Sequence, residues 1–320
     1  MKRTNTGRRF VFLSRAFILV CAGLLLTLPL LALAGCNSSP TESETGDQKL
    51  VIATSFYPIY IMVRNVALDI PGVEVVNITG NVTGCLHDYH LTPSDLKRLR
   101  QAEILVINGA GMESFLDRVI EQQPDLKIID ASRDIPLKRD EHGHENGHVW
   151  VSVSLAMKQV QNIADQLAEL DAGNGPAYQE NAARYIKELE MLREEMREAI
   201  EGLPNKDVVT FHEAFPYFAD EFGLNIVAVV EREPGSEPSA AEMADTIKLI
   251  RQSGVKAIFV EPQYSTKAAQ TIARETGIEV YTLDPAVTGK DDPGAYIEIM
   301  KNNLRVLLEA LRLWGQPRKH

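Results

Sequence analysis

The sequence predicts an α/β protein of two lobes, each a mainly parallel sheet flanked by helices, set on either side of one long helix. Three observations predict it. Short β-branched runs alternate with helical patterns between residues 50 and 130, and the same rhythm returns between residues 207 and 283. An unbroken helical pattern fills residues 176–200 between the two series. Some 285 of the 320 residues follow the apolar opening segment, more than one core usually takes.

The opening segment, residues 1–35, places Lys2, Arg3, Arg8, Arg9 and Arg15 before an apolar stretch over 17–34, the order of a secretory signal. Leu33-Ala34-Gly35-Cys36 puts small residues ahead of a cysteine, which resembles the lipobox of bacterial lipoproteins, so Cys36 is expected to carry lipid. A membrane-spanning anchor is the alternative, because the stretch approaches the ~20 residues that cross a bilayer. The cysteine and the polar run that follows it favour cleavage instead. Residues 36–48 then read as a flexible tether holding a soluble body at the outer face of the bacterial membrane, at the cell surface or in the periplasm.

In the first lobe, residues 49–172, strands are expected at 50–54, 74–78, 104–108 and 127–130. In the second, residues 204–320, they are expected at 207–211, 226–230, 256–260 and 279–283, with helices near 214–222, 240–252 and 266–276. The segment 173–203 carries the long helix, which starts at Asn174-Gly175-Pro176 and stops at Gly202 and Pro204. Its length gives a rod of roughly 37 Å, with Tyr185, Leu189, Leu192 and Met196 on one face. Such a helix either connects both lobes or lies on the surface of one.

The 33 Lys and Arg stand against 44 Asp and Glu, a net charge of −11 that becomes more negative once the basic leader is removed. That balance argues against a nucleic-acid partner. Of three cysteines, Cys21 leaves with the leader and Cys36 is lipidated, so Cys85 stands alone and no intrachain disulfide is expected.

Three histidines occupy positions where a parallel α/β lobe builds ligand sites, beyond strand ends and in their connecting loops. His212 follows the strand at 207–211, His87 lies in the loop after the second strand, and His148 opens a segment before a helix. Glu261 and Asp284 also end strands. Three imidazoles and a carboxylate form a four-coordinate N/O set that suits zinc and accepts manganese. Singly, each has a structural explanation, as a hydrogen-bonded histidine or a turn aspartate before Pro285; their joint placement in both lobes is the signal. The acidic run at 138–148 adds His142 and His144, which either collect ions for the main site or belong to a solvated loop.

The ordered blocks His87-Asp88-Tyr89-His90-Leu91-Thr92-Pro93, Asn108-Gly109-Ala110-Gly111-Met112-Glu113, His148-Val149-Trp150-Val151-Ser152, Phe211-His212-Glu213-Ala214-Phe215-Pro216, Glu261-Pro262-Gln263 and Thr282-Leu283-Asp284-Pro285 span nearly the whole exported chain. In these the chain resembles the cluster A-I solute-binding proteins of ABC importers, the zinc and manganese branch that includes high-affinity zinc-binding lipoproteins. The resemblance implies that His87, His148 and His212 are metal ligands and that Asp284 supplies or adjoins the fourth position, with Glu261 an accessory candidate. It also implies a non-enzymatic protein whose long helix rigidly joins the lobes, whose Zn2+ or Mn2+ lies in the cleft between them, and whose partner is a membrane permease. A histidine at 212, where manganese binders often carry glutamate, tilts the expectation to zinc. Departures are the short His-containing loop and Cys85, which is either a small buried side chain or a soft extra ligand.

Imidazoles must be neutral to bind metal, so capture is expected to weaken below about pH 6.5. Two other classes compete. A zinc hydrolase would need an open position for water and a general base, and no His-Glu-x-x-His helix is present. An organic-ligand binder or surface adhesin on the same fold would use aromatics such as Phe56, Tyr57, Tyr60, Phe215, Tyr217 and Tyr264, which core packing accounts for equally. A monomer is expected.

Overall fold

The first sheet is built from β1 (Leu50–Thr54), β2 (Val73–Asn77), β3 (Ile104–Ile107) and β4 (Lys127–Asp130), with helices α1 (Tyr57–Val66), α2 (Pro93–Leu99) and α3 (Asp117–Glu121) between them and α4 (Val153–Leu170) after. The computed structural model describes residues 49–80, 86, 89–139, 143–230 and 238–312. The leader 1–35, Cys36, the tether 36–48, Cys85, His87 and His142 lie outside the described residues.

All strand pairs are parallel and the order is β2-β1-β3-β4. Ile104, Leu105 and Val106 are buried, the continuous apolar run of a parallel strand covered on both faces. Thr92 and Asp95 close a reciprocal capping box at the start of α2.

After α5 (Gly175–Glu201) the pattern repeats as β5 (Asp207–Thr210), α6 (Pro216–Phe222), β6 (Asn225–Val229), α7 (Ala240–Ser253), β7 (Ala257–Val260), α8 (Lys267–Thr276), β8 (Glu279–Thr282) and α9 (Ala295–Arg312). The second sheet is again parallel, with order β6-β5-β7-β8. In both sheets the order reverses between the two central strands. A crevice therefore opens beyond the carboxyl ends of β1 and β3, and another beyond those of β5 and β7.

Strand bounds fall within one residue of expectation. Helix α6 begins two residues late, with Phe215 as its cap and Pro216 in its first turn, where a missing N–H costs nothing. Helix α5 has 27 residues and is about 40 Å long. It packs on α1 and α4 of the first lobe and on α6 and α9 of the second, which is the connector role. Asn181 on α5 donates to the main-chain oxygens of Val66 and Leu68, holding the end of α1.

One apolar core runs from Ile52 and Phe56 through Trp150, Tyr178, Leu189 and Met196 to Phe218, Leu283 and Met300, so the two lobes share buried surface. Polar contacts add to it. Glu221 of α6 accepts from the Ser152 hydroxyl at 2.6 Å and from the Ser154 N–H at 2.9 Å. Tyr57 donates to the Lys290 oxygen at 2.7 Å. A Cβ at Gly289 would lie 2.2 Å from that phenol oxygen, so the latch needs glycine. Among the described residues no helix is long and apolar enough to cross a membrane.

Candidate metal centre

His212 lies just beyond β5 and Glu261 directly follows β7, so both sit at the switch point of the second sheet. Both are buried. His148 comes from the first lobe, in the loop that leads through a single 3-10 turn (Val149–Val151) to α4, and it too is buried. The rings of His148 and His212 meet nearly perpendicularly, with centroids 5.1 Å apart. Trp150 lies 5.2 Å from the His148 ring and Tyr264 lies 6.0 Å from the His212 ring.

The loop that presents His148 is held from below by a buried polar network. The Glu113 carboxylate accepts from the Ser55 hydroxyl at 2.8 Å and from the Asn108 and Gly109 N–H groups at 2.7 and 3.1 Å. Burial pushes its pKa up to about 7 against the pull of those three donors. Asn108 passes the order on by donating to the Gly147 oxygen at 3.0 Å, one residue before His148, and Gln159 donates to Asn108 at 2.9 Å. Gly109 has φ +77°, and a Cβ there would run into the Asp130 carboxylate, so this turn needs glycine twice over.

Asp284 is half-buried and pinned through its main chain. Asn303 of α9 accepts from the Asp284 N–H at 2.9 Å and donates to the Asp284 oxygen at 2.7 Å. The carboxylate accepts from the Ala286 N–H at 2.8 Å. Burial raises its pKa, and the Ala286 N–H and the Gln263 side chain offset part of that rise.

The structure thus brings His148 and His212 together and sets Glu261 at the strand end beside His212. Among the described residues no group of three or more His, Cys, Asp or Glu side chains is set to hold a metal ion. His87 lies outside them, but its described neighbours are fixed. Leu86 is buried in the shared core, and Tyr89 donates its main-chain N–H to Leu86 and its hydroxyl to Asp95 at 2.7 Å. His144 is exposed on its loop, and His90 is exposed as well. Phe56, Tyr57, Phe215 and Tyr217 are buried packing residues. Sequence reasoning missed Asn146, which touches His148, and Asn303. Asn303 falls on the buried stripe of α9, between Met300 and Leu304, where a polar side chain among apolar ones was the signal, and Asn146 was marked by its place two residues before a candidate ligand.

Residues 52–310 match the family model for zinc-uptake complex component A, periplasmic (ZnuA). The chain is 32% identical over 303 residues to the high-affinity zinc uptake system protein ZnuA of Bacillus subtilis, across 88% of this chain and 94% of that one. It is 27% identical over 301 residues to the manganese-binding lipoprotein MntA of Halalkalibacterium halodurans, across 91% and 98% of the two chains. The solved structure of the SBP FpvC from Pseudomonas aeruginosa in complex with Mn2+ superposes with a TM-score of 0.76 at 33% identity, covering 83% of this chain and 100% of that one. Because the matched region takes in both sheets, α5 and the two facing histidines, the chain belongs to the zinc-uptake complex component A family.

Proposed function

We propose that this chain is the extracytoplasmic solute-binding component of an ABC importer, which captures Zn2+, with Mn2+ the alternative cargo, between its lobes and hands it to a membrane permease. The lobes are residues 49–172 and 204–320, with 173–203 between them. His148, His212 and His87 supply imidazole nitrogens and Asp284 the fourth donor, with Glu261 as its alternate. His142 and His144 are accessory. Lipid on Cys36 keeps the monomeric body at the outer face of the membrane, and its role is binding without catalysis.

The observation that carries this reading is the approach of His148 and His212 from different lobes to a centroid separation of 5.1 Å. Two imidazoles on one tetrahedral zinc, with Zn–N about 2.0–2.1 Å, place their ring centroids roughly 5 Å apart. The spacing supports a shared ion. Both rings are buried, so water competes poorly for that ion.

Elemental analysis of the purified protein tests the proposal. One zinc or manganese per chain is expected in the wild type, with loss in His87→Ala, His148→Ala and His212→Ala. A metal-free wild type whose stability does not respond to either ion would end it.

A further inference from the structure

We propose that Asn146 is the positioning residue of the metal centre, because its one amide sets which nitrogen of His148 faces the cargo and ties that histidine to the strand end bearing His212. This rests on the metal-binding reading above.

The argument starts from which end of the amide is which. Asn146 Oδ1 lies 2.9 Å from the main-chain N–H of His148, a group that only donates. Asn146 Nδ2 lies 2.9 Å from the main-chain oxygen of Glu213, a group that only accepts. These two one-way partners assign the oxygen and nitrogen of the amide without ambiguity. The same Oδ1 lies 3.0 Å from His148 Nδ1. An amide oxygen cannot donate, so Nδ1 carries the proton. A neutral imidazole has only one N–H, which leaves the lone pair on Nε2 as the donor to a metal.

Asn146 itself has little freedom. Its N–H donates to the Lys138 oxygen at 2.9 Å, and its own oxygen accepts from the Tyr217 hydroxyl at 2.7 Å. Tyr217 and Glu213 belong to the second lobe, and Glu213 adjoins His212. The side chain that orients one histidine is therefore bonded to the backbone that carries the other.

Outer partners of metal-bound histidines are typically worth 10- to 100-fold in affinity. Asn146→Ala removes both the acceptor and the strap. Asn146→Asp keeps an acceptor for Nδ1–H, while it loses the donor to Glu213 and sets a carboxylate oxygen against the Glu213 oxygen. The test compares wild type, Asn146→Ala and Asn146→Asp by long-range 15N–1H correlation on metal-free, histidine-labelled protein, which reads the tautomer, and by zinc competition.

The expected result is a wild-type His148 held as the Nδ1–H tautomer. In Asn146→Ala that tautomer mixes with the other and zinc affinity falls 10- to 100-fold, while Asn146→Asp restores the tautomer and recovers most of the affinity. The inference is overturned if the Ala variant keeps a pure Nδ1–H signal, if it binds zinc within twofold of wild type, or if the Asp variant lacks the Nδ1–H tautomer. Should the Ala variant fail to fold, the tautomer in the Asp variant decides. A wild type that takes up neither zinc nor manganese overturns the metal-binding reading, and the metal-free tautomer comparison then judges the Asn146–His148 link alone.

Discussion

The indole N–H of Trp150 donates to the main-chain oxygen of Pro285 at 2.7 Å, joining residues 135 positions apart in different lobes. His148 lies two residues before one partner and Asp284 one residue before the other. A single buried hydrogen bond thus ties the two segments that carry the proposed ligands His148 and Asp284 to each other. Tyr296 of α9 closes the arrangement by donating to the Trp150 oxygen at 2.8 Å.

Trp150→Phe keeps an aromatic ring in the core but leaves the Pro285 oxygen without its donor. An unsatisfied buried acceptor costs about 1–3 kcal/mol, and the denaturation midpoint in urea should fall accordingly. Zinc affinity should fall as well, because the segments bearing His148 and Asp284 lose their shared anchor. An unchanged affinity in a destabilised variant would show that the bond serves the core alone.

Cargo binding should appear as added stability. A metal present at a hundredfold excess over its Kd adds about 2.7 kcal/mol to the native state, which for a chain of this size raises Tm by roughly 5–10 °C. Differential scanning calorimetry with and without zinc should show this shift for wild type and for His144→Ala, whose side chain is exposed. The shift should be absent for His212→Ala. A loss in the His144 variant equal to that in the His212 variant would move the site into the loop.

Both sheets and α5 were legible in the sequence because buried parallel strands are written as short β-branched and apolar runs, and 257–260, Ala-Ile-Phe-Val, is bounded by Gly254 and Pro262, which keeps it to strand length. The placement of His148 in a connecting loop and of His212 just beyond a strand end was legible, because parallel α/β sheets gather functional side chains at such positions. What stayed hidden depends on partners far apart in the chain. Helix α9 carries a stripe of Met300, Leu304, Leu307 and Leu311 at helical spacing, yet nothing in that stripe tells that it docks on α5 and α1. The capture of Ser152 and Ser154 by Glu221 spans 69 and 67 residues, the role of Asn146 arises only once the lobes meet, and that of Asn303 only once α9 packs beside β8.

Glu113 makes a pH prediction for the fold. Its pKa is pushed up to about 7 in the native state, against about 4.3 in an unfolded chain. Between those values the native state holds a proton that the unfolded chain has given up. The group therefore favours folding most below about pH 4.3, and this contribution is lost as pH rises through 7, on the order of 3 kcal/mol in all. Glu113→Gln does not titrate, although it is less stable overall because its amino end faces the Gly109 N–H. Urea unfolding from pH 4 to 8 should show wild-type stability declining relative to the variant. Parallel curves would mean that the three donors hold the carboxylate ionised throughout.

Asn303 is wholly buried and satisfies the main-chain N–H and oxygen of Asp284 with one amide. Asn303→Ala strands both groups at a cost of about 2 kcal/mol or more and frees the Asp284 carboxylate to drift from its position. Asn303→Asp keeps the acceptor but sets a carboxylate oxygen against the Asp284 oxygen, so it should be no more stable than the alanine variant. If Asp284 is the fourth ligand, isothermal titration should show zinc affinity reduced at least tenfold in both variants while one ion still binds per chain. If Glu261 fills that position instead, the two variants lose stability with affinity intact, and Glu261→Gln becomes the substitution that abolishes tight binding.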